Sequence, residues 1–199
     1  MPVATLFDLA PRVERDIPRC PRAAILDALS DAWHALCEEA EVFRKEVYIV
    51  LVEGQTAYRL NLGVEASATG IASAIWRTAV DISANRPGTA IPADWLILRR
   101  EGIHHFVDVN KMIGIPREGA LNLSVILQPD LYAEDEPQVP PDILNRFAAA
   151  LAAKATAILA RKRGEPYFNP DLFDEQMMIY NAAKNRIRKH NTAPRGLFQ

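Results

Sequence analysis

Cysteine, catalytic signatures and long apolar runs are all scarce in this chain. Its 199 residues include two cysteines, Cys20 and Cys37, with no Cys-x-x-Cys pair. The sequence therefore offers neither a disulfide framework nor a thiolate zinc site, and both thiols are expected to be unpaired. No stretch reaches the ~20 uninterrupted apolar residues that a membrane span needs. The start, Met1 to Ala10, lacks the basic lead and apolar run of a secretory signal. The expectation is a protein made in the cytoplasm with no membrane contact. Gly-x-Ser-x-Gly, His-Glu-x-x-His, Gly-x-Gly-x-x-Gly and the phosphate-cradling Gly-x-x-x-x-Gly-Lys motif are missing too, which removes the usual nucleophile, zinc and nucleotide signatures. No internal repeat stands out.

What is present suits a folded globular chain: 49% hydrophobic residues and a formal net charge of -2. The near-neutral total hides an asymmetry, and asymmetry says more about partners than the total does. Between Gln128 and Asp142 lie Asp130, Glu134, Asp135, Glu136 and Asp142 with no Lys or Arg. From Lys184 onward the sign reverses, with Lys184, Arg186, Arg188, Lys189 and Arg195 and no acid. A solvated loop and a helix end whose cations complement the macrodipole explain these two runs without any partner.

Periodicity divides the chain into three parts. From Pro21 the apolar residues Ile25, Leu26, Leu29, Trp33, Leu36 and Cys37 recur at helical spacing, predicting a helix to about Ala40 or Val42. Val47 to Val52 then reads as a strand, Glu53 and Gly54 as a turn, and Thr56 to Leu60 as its hairpin partner. Further strands are predicted over Ala74 to Asp81, Trp95 to Arg99, His104 to Val109 and Leu121 to Leu127, with Asn85 to Ile91 as a long loop. No helical crossover separates these runs, so a parallel sheet is excluded. Helical spacing returns at Pro141 with Ile143, Leu144, Phe147, Leu151, Ile158 and Leu159 on one face and alanine at most other positions. Alanine permits close backbone approach, so this helix is expected to touch partners on more than one side. It should stop at Gly164, after Arg161 to Arg163. Asn169 and Pro170 open a last helix with the stripe Phe173, Met177, Tyr180, Ala183 and Ile187, and from Thr192 the chain is expected to be extended. The fold class is α+β: a three-helix bundle from residues 1-42 and 140-199 with an extended C-terminal tail, and an inserted antiparallel β-rich region over 43-139.

No constellation carries catalysis. His104 and His105 are the one close histidine pair, and strand neighbours point to opposite faces, so they read as surface or sheet-edge residues without a shared ion. His104 shares its face with Asp108. His34 and His190 have no partner at ligand spacing. Glu38, Glu39 and Glu41 read as solvated residues at the end of the first helix. The basic C-terminal helix is compatible with a nucleic-acid-binding module, although no helix-turn-helix, zinc finger or aromatic RNA-binding motif accompanies it.

Several motifs, taken in order, resemble the head-to-tail adaptor (neck) proteins of tailed bacteriophages. They are Cys20 and Pro21 before the first helix, Gly54-Gln-Thr-Ala-Tyr58, Pro92-Ala-Asp-Trp95, Gly119 to Asp130, and Gly164-Glu-Pro-Tyr-Phe-Asn-Pro170. The resemblance implies a structural virion protein, not an enzyme, without catalytic, cofactor-binding or metal-binding residues. It implies a ring of about twelve copies that docks under the portal protein and extends the DNA channel toward a downstream neck or tail protein, with genomic DNA passing through non-specifically. It places the bundle helices near 21 to 42, 141 to 163 and 170 to 190, and it gives portal binding to the C-terminal segment. There Arg186, Arg188, Lys189 and Arg195 would meet portal acids, and Leu197 and Phe198 would serve as apolar anchors. Asp130, Glu134, Asp135 and Glu136 are candidates for the lumen, where acids would repel DNA phosphates.

Overall fold

The computed structural model of the chain describes residues 5–62, 66–109, 119–129 and 139–192. The fold is mixed α+β, with five helices and two antiparallel sheets among these residues. They form two compact units. One takes its residues from both ends of the chain, and the other begins at Phe43 and contains all the strands.

In the first unit a 3-10 turn at Leu6–Leu9 leads into α1 (Ala10–Asp16), followed by α2 (Arg22–Ala40), α4 (Pro141–Ala160) and α5 (Pro170–Thr192). Helix α2 begins one residue after Pro21, and Ile25, Leu29, Trp33, Leu36 and Cys37 are buried as their spacing requires. Helix α4 packs against α1, α2 and α5. It buries Leu144, Leu151 and Leu159, and also Ala148, Ala150, Ala152, Ala153, Ala155, Ala157 and Ala160. Small side chains on several faces let three helices approach one axis, whereas Ile143, Phe147 and Ile158, expected on the core face, are only half-buried. By length and composition α4 is also apolar enough to cross a membrane, yet over half of it is buried within the structure.

Two boundaries in this unit differ from expectation. Helix α4 ends at Ala160, not at Gly164, and Gly164 adopts φ +87° in the connector beyond it. The early helix α1 was hidden by its shortness and by Pro11, which sits in its first turn where the missing N–H costs nothing. Asn169 caps α5 as its type suggests: its side-chain oxygen accepts from the Leu172 N–H at 3.1 Å.

The second unit holds β1 (Arg44–Leu51), β2 (Ala57–Leu60), β3 (Ala66–Arg77), the short helix α3 (Ala79–Ser83), β4 (Thr89–Ile91), β5 (Ile97–Glu101), β6 (His104–Asp108) and β7 (Gly119–Pro129). One sheet has the order β1-β7-β3-β4 and the other β2-β6-β5, with every pairing antiparallel. The expected hairpin between Val47–Val52 and Thr56–Leu60 does not form. Strand β1 pairs with β7 and β2 with β6, so the turn at Gly54 passes the chain from one sheet to the other. The Tyr58 hydroxyl holds this turn, accepting from the Val52 N–H at 2.9 Å while lying 3.2 Å from the Val52 and Gln55 carbonyls.

The strand expected over Ala74 to Asp81 stops at Arg77. Thr78 and Asp81 then form a reciprocal capping box that starts α3, with Thr78 Oγ1 accepting from the Asp81 N–H at 3.0 Å. The presumed loop over Asn85 to Ile91 contains β4, which closes the edge of the first sheet.

Candidate interaction surfaces

Helix α5 carries the expected basic surface. Arg186, Arg188 and Lys189 are exposed on its last described turns. Arg195, Leu197 and Phe198 lie outside the described residues, as do Asp130, Glu134, Asp135 and Glu136. Lys184, read from the sequence as part of the same basic run, is committed inward. Its Nζ lies 2.5 Å from Glu39 Oε2, and Lys154 Nζ lies 3.4 Å from Glu39 Oε1. Both ammonium groups also sit over the Tyr180 ring, 4.6 Å from its centroid for Lys154 and 5.4 Å for Lys184.

Glu39 is therefore no solvated residue at the end of α2 but the shared counter-ion of two lysines from α4 and α5. Burial opposes its charge, but the two lysines outweigh burial and hold its carboxyl below the ordinary carboxylate range. The buried Tyr180 hydroxyl is pushed up by burial first and by the nearby Glu39 charge second. This cluster ties α2, α4 and α5 together at one level.

The histidines separate as alternation requires. His104 is half-exposed, and His105 is buried on a central strand, which corrects its reading as a surface or sheet-edge residue. Its ring pKa is lowered by burial first, then by the positive charge of the nearby Arg100. On the face of His104, Asp108 forms an ion pair with Arg99 at 3.4 Å, and Arg59 Nη2 lies 2.8 Å from His104 Nδ1. Among the described residues no group of three His, Cys, Asp or Glu is placed to hold a metal ion. Neither cysteine forms a disulfide, and Cys37 is buried, which raises its thiol pKa.

An apolar surface appears where the sequence drew no attention. Tyr48 and Val50 on the outward face of β1, an outermost strand of its sheet, and Val52 just beyond its end are each more than half exposed. An alternating run such as Val47 to Val52 carries apolar residues on both faces, and that excess was the available signal. A long apolar edge of this kind invites association with another chain.

Comparison with known proteins adds no assignment: no protein-family model matches the chain, and no curated protein is similar to it.

Proposed function

We propose that the protein is a head-to-tail adaptor of a tailed bacteriophage, a virion subunit without catalytic activity. In this reading α2, α4 and α5 form a three-helix bundle, the strands form a β-rich insertion, and the C-terminal segment is an extended tail. Copies assemble into a ring of about twelve, dock on the portal protein and continue the DNA channel toward the next neck or tail component.

The observation that carries the reading is the end of α5. Arg186, Arg188 and Lys189 are displayed at the surface on the turns that lead into the segment holding Arg195, Leu197 and Phe198. A cationic helix end followed by Pro194, Gly196 and an apolar pair suits a docking peptide, with charge for steering and Leu197 and Phe198 for anchorage. The apolar outer face of β1 supports the same reading, since a neighbouring copy would remove it from water.

The alternative, a nucleic-acid-binding module on the basic helix, loses Lys184 to Glu39 and rests on a shorter row of charges. Deleting Pro194 to Gln199 tests the adaptor reading. The truncated subunit is expected to fold and to lose most of its affinity for portal, with Phe198→Ala giving part of that loss. Undiminished portal binding by the truncated protein would show that the tail is not the contact.

A further inference from the structure

Beside β2 a cleft of about 530 Å³ opens between Arg59, Asn61, Leu62, Ala66, Ile103 and His104, a volume typical of ligand sites. Its polar lining is one-sided. Arg59 Nη2 lies 2.8 Å from His104 Nδ1, and a guanidinium has only donors, so Nδ1 is the acceptor and the ring proton sits on Nε2. His104 thus offers a second donor beside the remaining N–H groups of Arg59. Lys45 reaches the Leu62 carbonyl at the rim. Arg100, held 2.9 Å from Ser67 Oγ and 2.9 Å from the Gly102 carbonyl, adds charge to the same end of the sheet. Among the described residues no carboxylate lines the cleft, and Glu101 and Asp108, the acids of the neighbouring β5 and β6, are both engaged by Arg99.

We propose that this cleft receives an extended acidic segment of a protein partner. Three observations choose that occupant. Arg59 and His104 in the lining, with Lys45 on the Leu62 carbonyl beside them, complement carboxylates, and no acid stands among the described lining residues to compete. Strand β2 is an edge of its sheet, so an extended chain can add alongside it through backbone hydrogen bonds. Leu62, Ala66 and the 83% exposed Ile103 offer apolar contact to alternate side chains of such a segment. A single-stranded nucleic acid would need aromatic platforms for its bases, and among the described residues no aromatic side chain lines the cleft. This contact lies outside the portal-docking role and does not depend on it.

The test uses the full chain and three fluorescent probes: a short peptide alternating Glu and Val, its twin alternating Ser and Val, and oligothymidine. The Glu peptide is expected to bind, to shift the amide resonances of residues 59–62 and 103–105, and to outbind the Ser peptide. Arg59→Gln and His104→Gln should each weaken it about tenfold, the loss of one charge-assisted hydrogen bond, with Arg59→Lys in between. Both residues lie on the outward face of their strands, and unchanged circular dichroism would confirm that the variants fold. Equal binding of the two peptides, binding unaffected by any of these substitutions, no binding at millimolar peptide, or equally tight binding of oligothymidine would each overturn the proposal.

Discussion

Replacing Glu39 with Gln removes the one negative charge that Lys154 and Lys184 share, while keeping the shape of the side chain and an acceptor oxygen. The side chains of the cluster are 33% exposed for Glu39, 15% for Lys154 and 19% for Lys184, so the cost should fall between that of a surface pair, roughly 0–1 kcal/mol, and that of a buried pair broken on one side, roughly 3–5 kcal/mol. The Tyr180 ring keeps part of the stabilisation, because an ammonium over an aromatic face retains about 0.5–2 kcal/mol. A net loss of ~2 kcal/mol follows, which lowers the melting midpoint of a helical unit this size by roughly 8–16 °C.

The pH dependence has a definite sign. Glu39 is held charged below its ordinary value of 4.5, so its contribution is complete above that pH and is lost as pH falls through the lower folded value. Helical circular dichroism during thermal unfolding should show wild type and Glu39→Gln well separated at pH 7, with the gap closing toward pH 3. A gap that is absent at pH 7, or constant down to pH 3, would refute the assignment of Glu39 as the charged centre of the cluster.

Three other substitutions test separate parts of the fold. Asn169→Ala removes the cap of α5 and should cost about 1 kcal/mol in chemical denaturation. Leu151→Ala empties a fully buried site on α4 and should cost about 2–5 kcal/mol by the same measurement. Gly119→Ala places a Cβ 2.3 Å from the Arg77 carbonyl oxygen at φ +138°, so it should destabilise the sheets by more than about 1 kcal/mol and collapse soluble yield before it affects helical content.

The long helices were legible because each is written locally. Ile25, Leu29, Trp33 and Leu36 set the face of α2, and Pro21 and Asn169 mark starts that need no distant partner. Strand partners were not legible in the same way. Val47 to Val52 reads as a strand, but nothing in it names β7 in preference to the nearer Thr56 to Leu60, because alternation fixes a face and not a neighbour. The first half of β3, Ala66 to Ser73, is built of small residues with little β preference, so it was invisible until β7 paired with it. Helix α3 is signalled by Thr78 and Asp81, a capping pair at the right spacing, but the β-like run Ala74 to Arg77 just before it hides that signal.

The candidate surfaces follow the same division. The exposed cations of α5 could be read from composition. The Glu39 cluster and the Arg59–His104 pair join residues far apart in sequence, and no local pattern announces such a meeting.

The most direct measurement is the mass of the assembled particle by native mass spectrometry, for the protein alone and mixed with portal protein. The adaptor account predicts a closed ring of identical subunits that joins the portal as one stoichiometric complex, and it predicts that charge reversal of Arg186, Arg188 and Lys189 leaves free portal. A protein that stays monomeric at every concentration and never joins the portal would contradict it.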